Sequence, residues 1–247
     1  MADAGKSKGV QSVETGVAVL QLLAAAGKPL PLGELARGLQ TTAPRVHHYL
    51  TSLVRAGLAE QDTATGYYKL GTELRRLGLA ALAQLDWMQS AQAAVEQAVE
   101  LTGATGLLTV MGASGVTIVR WVAGTQPIYT TLALGSVLPL TSSASGRVFL
   151  AWLSKSELAS HLKALDSSAR KAVATLQAST RAAGYARAHG ELIPGLEAIA
   201  APIFNSQGAL QCCIGLVAAT TTKSRLSPVA LAILRAQAAA ASSSLGA

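Results

Sequence analysis

From Ser12 to Ala26 the apolar positions Val13, Val17, Leu20 and Leu23–Ala24 recur at close to helical spacing, and Gly27-Lys28-Pro29 places a glycine just past the helix and a proline beyond it. A short second helix is expected over Leu32–Leu39, with Leu35, Ala36 and Leu39 inward. Gln40-Thr41-Thr42 reads as a turn that supplies an N-cap hydroxyl. A third helix is expected over Ala43–Arg55, with Pro44 in its first turn, where proline is tolerated. On a helical wheel Val46, Leu50 and Leu53 fall together, with Tyr49 and Val54 at the margins. Pro44, Arg45, His48, Thr51, Ser52 and Arg55 fall opposite. Leu58–Asp62 and Tyr67–Leu70 flank the turn Thr63-Ala64-Thr65-Gly66 as two short strands. Three helices and a hairpin make the plan of a winged helix-turn-helix.

Thr72–Met88 predicts a longer helix whose stripe is Leu74, Leu77, Ala81, Leu82 and Leu85. Such a stripe fits a linker and dimer contact, or plain packing on the next domain. From Ser90 the pattern changes. A helix over Ala91–Leu101 leads into strand-like runs at Thr105–Met111, Val116–Val122 and Ile128–Leu134. Helices are expected at Ser143–Leu153, Lys155–Leu165 and Ala169–Ala183, strands at Glu197–Phe204 and Leu210–Ala219, and an Ala-rich helix at Pro228–Ser244. Strands flanked by helices, with tight joins at Ala113-Ser114-Gly115 and Asn205–Gly208, give an α+β domain with a largely antiparallel sheet.

Composition narrows the classes. The 247 residues suit one or two domains, half are apolar and only 13% are charged, which argues against disorder. The mean hydropathy of +0.37 is high for a soluble chain. Yet uncharged stretches such as Leu101–Val119 are broken by Gly and Thr, so no spanning helix is expected. The polar N-terminus carries no secretory pattern, and the two cysteines, Cys212 and Cys213, are adjacent; both point to a cytoplasmic location without a disulfide framework. The net charge of +7 suggests an anionic partner. Residues 1–76 hold nine basic and six acidic side chains, residues 77–247 eleven and seven, so the basic excess is denser at the N-terminus.

The exposed side of the third helix offers a guanidinium, imidazoles and hydroxyls, groups that suit base edges and phosphates. Thr41, Thr42, Pro44, Arg45, His47, His48, Thr51, Arg55 and, on the hairpin, Tyr67 are the candidate contacts to double-stranded DNA. A merely solvated face is the alternative. His47 and His48 have no acidic or cysteine neighbours that would make a metal site, and no metal or cofactor is expected. In the second domain Thr141, Ser142, Ser143 and Ser145 cluster at the start of a helix, where hydroxyls and free N–H groups favour an anion. Gly146 permits close approach, and Leu132, Leu134, Leu138 and Leu140 could form an apolar wall. An N-cap with ordinary core leucines is the plainer reading.

These residues also carry a resemblance. The stretches "SVETGVAVLQLL", "PLPLGELARGLQTTAPRVHHYLTSLVRAGL" and "GYYKLGTELRRLG" resemble the N-terminal domain of the IclR family of bacterial transcription regulators. "LGSVLPLTSSASGRVFLAWL" and "GYARAHGELIPGLEAIAAPIFNSQGAL" resemble its two effector-domain signatures, so the likeness runs from Ser12 to the end. It implies a disordered arm over 1–11, a winged helix-turn-helix over 12–71, a linker and dimerisation helix over 72–89 and a GAF-like effector-binding domain over 90–247. It also implies a small organic acid as effector, operator DNA as partner and assembly as homodimers or dimers of dimers, with no membrane partner. The family commonly has Lys, Ser, Thr and Arg where Ala43, Pro44, Arg45 and His48 stand here, so a different operator is expected. In members that bind very small 2-oxo acids, an acidic residue and a cysteine contribute to the pocket. The matching positions here are Ala188 and Ala198, which implies a longer or aromatic acid. His189 and Glu191 remain as polar candidates beside Leu196, and Glu191 could equally be structural.

Motifs for hydrolases, nucleotide binding and metalloproteases are missing. S-x-x-K occurs twice, at Ser160–Lys163 and Ser168–Lys171, without the companion motifs. A regulator rather than an enzyme is therefore expected. The competing readings are a GAF-like enzyme or a redox sensor, each using Cys212 or Cys213.

Overall fold

A computed structural model describes residues 10–83, 87–125, 128–154, 157–159, 167–220 and 226–245. The chain divides into two compact units, Met1–Leu85 and Asp86–Ala247.

In the first unit, α1 (Gln11–Ala26), α2 (Leu32–Gly38) and α3 (Ala43–Arg55) precede an antiparallel hairpin of β1 (Ala59–Gln61) and β2 (Tyr68–Leu70). The apolar periodicity becomes one core, in which Val19, Leu23, Leu35, Val46, Leu50 and Tyr68 are buried. The α2–α3 turn passes through Gln40 at φ 51°, a left-handed position few non-glycine residues adopt. Asp62 holds the hairpin turn by accepting from the Ala64 and Thr65 amides. Glu60 and Lys69 face each other across the strands at 3.2 Å. α4 (Thr72–Ala83) follows.

The second unit is a six-stranded antiparallel sheet ordered β5-β4-β3-β8-β7-β6. Its strands are β3 (Thr105–Gly112), β4 (Gly115–Val122), β5 (Val137–Leu138), β6 (Ala186–His189), β7 (Leu196–Phe204) and β8 (Leu210–Ala219). Its helices are α5 (Met88–Thr102), α6 (Ala144–Trp152), α7 (Ser167–Ala183) and α8 (Pro228–Ser244). The pleat decides which helix covers which face. Gly106 on β3 lies so close to Val95 and Val99 of α5 that a Cβ would stand 2.4 Å from Val99. Its neighbour Leu107 packs instead with Val148 and Phe149 of α6. α5, paired with α8, therefore covers one face, and α6, backed by α7, covers the other.

Two expectations fall largely outside the described residues, and two others meet a different arrangement. The arm assigned to 1–11 lies outside the described residues through Gly9, and Gln11 already opens α1. The helix expected over 72–89 is described only as far as Ala83, with Leu85 outside the described residues. Trp87 and Met88 are buried at the head of α5, so their apolar surface belongs to the second unit. Ile128–Leu134 is irregular rather than a strand. On the edge of β4 away from β3 it is Val137–Leu138 that pairs, at Val116 and Thr117, and Tyr129 and Leu134 point to solvent. The helix expected over Lys155–Leu165 lies largely outside the described residues, as does Ser160–Lys163.

Candidate DNA interface and effector pocket

α3 buries Val46, Leu50 and Leu53 and leaves Thr42, Pro44, Arg45, His47, His48, Thr51 and Arg55 exposed. Thr41 is half-buried in the turn before it, and Tyr67 is exposed on the hairpin. Thr42 takes the N-cap position but makes no side-chain cap hydrogen bond, contrary to the expected cap. Its hydroxyl and the first amides of α3 stay available to a phosphate. The Thr51 hydroxyl donates to the His47 carbonyl at 2.9 Å. Hydrogen bonds from Arg45, and then Thr15, hold the Tyr49 phenol below its usual titration range. Arg45 thus stands beside a partner at the head of the exposed face.

In the second unit a cavity with about 500 Å3 of empty space, counting its mouth, lies between the sheet and the head of α6. Of the residues expected there, Leu132, Leu138, Ser142, Ser143, Ser145, Ala188, Glu191, Leu196 and Ala198 line it. Leu134, Thr141, Gly146 and His189 do not. Leu134 is exposed, Thr141 faces solvent, and His189 lies 3.8 Å from Glu197. Gly146 packs behind the wall, where a Cβ would stand 2.0 Å from the Pro139 carbonyl oxygen, so a side chain there would force α6 outward.

Ala188 and Ala198 are direct partners across β6 and β7 and share one face of the sheet. Gly215 and Val217 of β8, and Leu107 of β3, extend the same apolar floor. None of these three is among the residues expected from the sequence; a glycine inside a strand, as at Gly215, is the signal that marks close approach. Leu192 and Ile193 close the side.

The hydroxyls at the head of α6 have different duties. Ser143 is the N-cap: its Oγ donates to the Pro139 carbonyl at 2.7 Å and accepts from the Gly146 amide at 2.9 Å. Ser145 hydrogen-bonds the Cys213 thiol. Ser142 makes no hydrogen bond among the described residues. The amides of Ala144 and Ser145, both residues buried, have no acceptor among the described residues either. They are first-turn amides, which no carbonyl of the helix can meet, and both residues stand in the wall of the cavity.

Glu191 is bound up in structure. One carboxylate oxygen accepts from Arg147 at 3.0 Å and the other accepts from the His189 amide. Partial desolvation pushes its carboxyl upward, but the hydrogen bonds from Arg147 and from the His189 and Glu191 amides prevail and hold it below the usual range.

Cys212 and Cys213 are both fully buried on β8. Burial pushes the Cys212 thiol well up and the Cys213 thiol up to about 12, so neither supplies thiolate near neutral pH. Iodoacetamide at pH 8 is expected to leave both unmodified in the folded chain and to alkylate both in urea. Mass spectrometry that found rapid native labelling would contradict the burial. Among the described residues no group of three or more potential ligands could hold a metal, and no helix is long and apolar enough to cross a membrane.

Two family models match. The model described as the bacterial transcriptional regulator IclR C-terminal matches residues 79–244, and that of the IclR helix-turn-helix domain matches residues 12–63. A glycerol operon regulatory protein of Streptomyces coelicolor is 32% identical, covering 98% of each chain. The crystal structure of an IclR transcriptional regulator from Alicyclobacillus acidocaldarius covers 97% of this chain and 100% of its own at 26% identity, with a TM-score of 0.80. An IclR homologue from Microbacterium hydrocarbonoxydans, crystallised with 4-hydroxybenzoate, covers 95% of this chain and 98% of its own with a TM-score of 0.78; at 21% identity this likeness speaks for the fold.

Proposed function

The chain belongs to the IclR family of bacterial transcription regulators, and from that premise we propose how it reads its operator and what it senses. It is a ligand-responsive DNA-binding regulator rather than an enzyme. α3 enters the major groove. Arg45 and His48 address bases, the Thr41–Thr42 turn and Arg55 address phosphates, and Tyr67 on the hairpin meets the flanking backbone. Two copies associate through α4, whose described side chains are all at least partly exposed, with Leu77 and Leu79 prominent. The regulator works in the cytoplasm, beside its DNA.

The effector is an aromatic or longer carboxylate. The observation that carries this reading is the pair of unpaired amides, Ala144 and Ser145, at the positive end of α6 above an apolar floor. The carboxylate accepts from those amides and from Ser142. The ring or chain lies over Ala188, Ala198 and Gly215, which present an apolar surface. Binding shifts operator affinity only if the ligand distinguishes two arrangements of the heads.

The DNA half of this reading has a direct test. Selection from a random duplex pool is expected to return a near-palindrome, with half-sites about one helical turn or a multiple apart. Bound sequences without two-fold symmetry would contradict a dimer reading through paired α3 helices.

A further inference from the structure

Arg147 stands outside the cavity yet ties together three of the segments that form it. Its side chain is only 14% exposed. Nε donates to the Thr141 carbonyl at 2.7 Å, in the turn that leads to Ser142 and Ser143. One terminal nitrogen donates to the backbone carbonyl of Arg187 on β6, next to Ala188 of the floor. The other donates to Glu191 at 3.0 Å, in the loop that contributes Leu192 and Ile193. Glu191 in turn accepts from the His189 amide, so the loop folds back on β6. The planar fork of a guanidinium can meet three acceptors in fixed directions, which an ammonium cannot.

We propose that Arg147 is the positioning residue of the effector pocket: one guanidinium sets the α6 head, β6 and the Glu191 loop at the spacing that admits the ligand. Its charge is met by Glu191 and two carbonyls, so it does not serve as the countercharge of a bound acid. That duty falls to the α6 amides. This inference rests on the effector reading for its ligand arm, but its geometry can be tested without any ligand.

The test is amide hydrogen exchange on the full chain, comparing wild type with Arg147→Lys and Glu191→Gln. Arg147→Lys keeps the charge and loses the fork. Peptides covering 139–146 and 186–196 are expected to exchange at least tenfold faster in Arg147→Lys, while peptides from α1–α3 and α8 stay unchanged. Glu191→Gln is expected to loosen 186–196 alone. Wild-type exchange in Arg147→Lys would overturn the proposal, as would uniform acceleration across the second unit. Benzoate is the ligand probe. It is expected to protect both peptides in wild type and to need at least tenfold higher concentration in Arg147→Lys; an equal response would also overturn the clamp. If benzoate protects neither peptide in wild type, the carboxylate reading fails, and the ligand-free comparison still decides the role of Arg147.

Discussion

Replacing Arg45 and His48 together with alanine is expected to abolish specific operator binding while leaving the fold and the oligomer intact. Both side chains lie on the exposed side of α3, opposite Val46, Leu50 and Leu53, which hold the helix in its core. Their removal takes nothing from that core. Alanine is also the best helix former, so α3 itself does not weaken. A well-placed base contact discriminates by about 1–3 kcal/mol. Two such contacts in each of two heads, about 4 kcal/mol at the least, predict a loss on the order of 1,000-fold or more. The residual, salt-sensitive binding would reflect phosphate contacts alone. A gel-shift titration with unchanged affinity would remove α3 from the recognition role.

Ala198→Phe is expected to abolish effector binding, by at least about 100-fold, and to leave ligand-free operator affinity within about twofold of wild type. Ala198 is half-buried on β7, faces the cavity beside Ala188 and stands on the apolar floor. A phenyl group there fills space that a ligand would occupy and can lean toward the mouth, so the core need not be overpacked. A bulky substitution at Ala188 would be a worse probe, because that residue is only 6% exposed and its side chain would press into the core. Calorimetric titration with benzoate on both proteins checks the effect. Equal binding by Ala198→Phe would place the ligand elsewhere.

What the sequence revealed depended on how strongly each element was patterned. α3 runs over Ala43–Arg55, the residues its wheel predicts, because three buried aliphatics at helical spacing and a proline in the first turn leave little freedom. β8 likewise follows its predicted run, Leu210–Ala219, in which Gln211 is the one polar side chain. β6 was not legible. Ala-Arg-Ala-His has low strand propensity, and only pairing with β7 makes it a strand, with the alanines buried and Arg187 and His189 exposed. Ile128–Leu134 shows the opposite error. It reads as a strand-like run, yet the edge of β4 not paired with β3 takes its strand partner at Val137–Leu138 instead. At the pocket, the hydroxyl cluster marked the correct helix terminus, but composition could not say which hydroxyls were already spent. Ser143 caps the helix and Ser145 meets Cys213, while the backbone amides stay unpaired. The role of Arg147 is not legible in the sequence because two of its three acceptors are carbonyls, which no side-chain pattern reports.

Grip of a carboxylate by the α6 head, over an apolar floor, is the expected mode of effector binding. It is tested most directly by a thermal-shift comparison of benzoate, 4-hydroxybenzoate and phenylacetate with benzamide, pyruvate and glyoxylate. A ligand at about 100 times its Kd stabilises by roughly 2.7 kcal/mol, a shift of several degrees for a chain of this size. Stabilisation is expected from one or more of the aromatic acids, with little from benzamide or the two- and three-carbon oxo acids. Stabilisation by benzamide equal to that by benzoate, or by the small oxo acids alone, would contradict it.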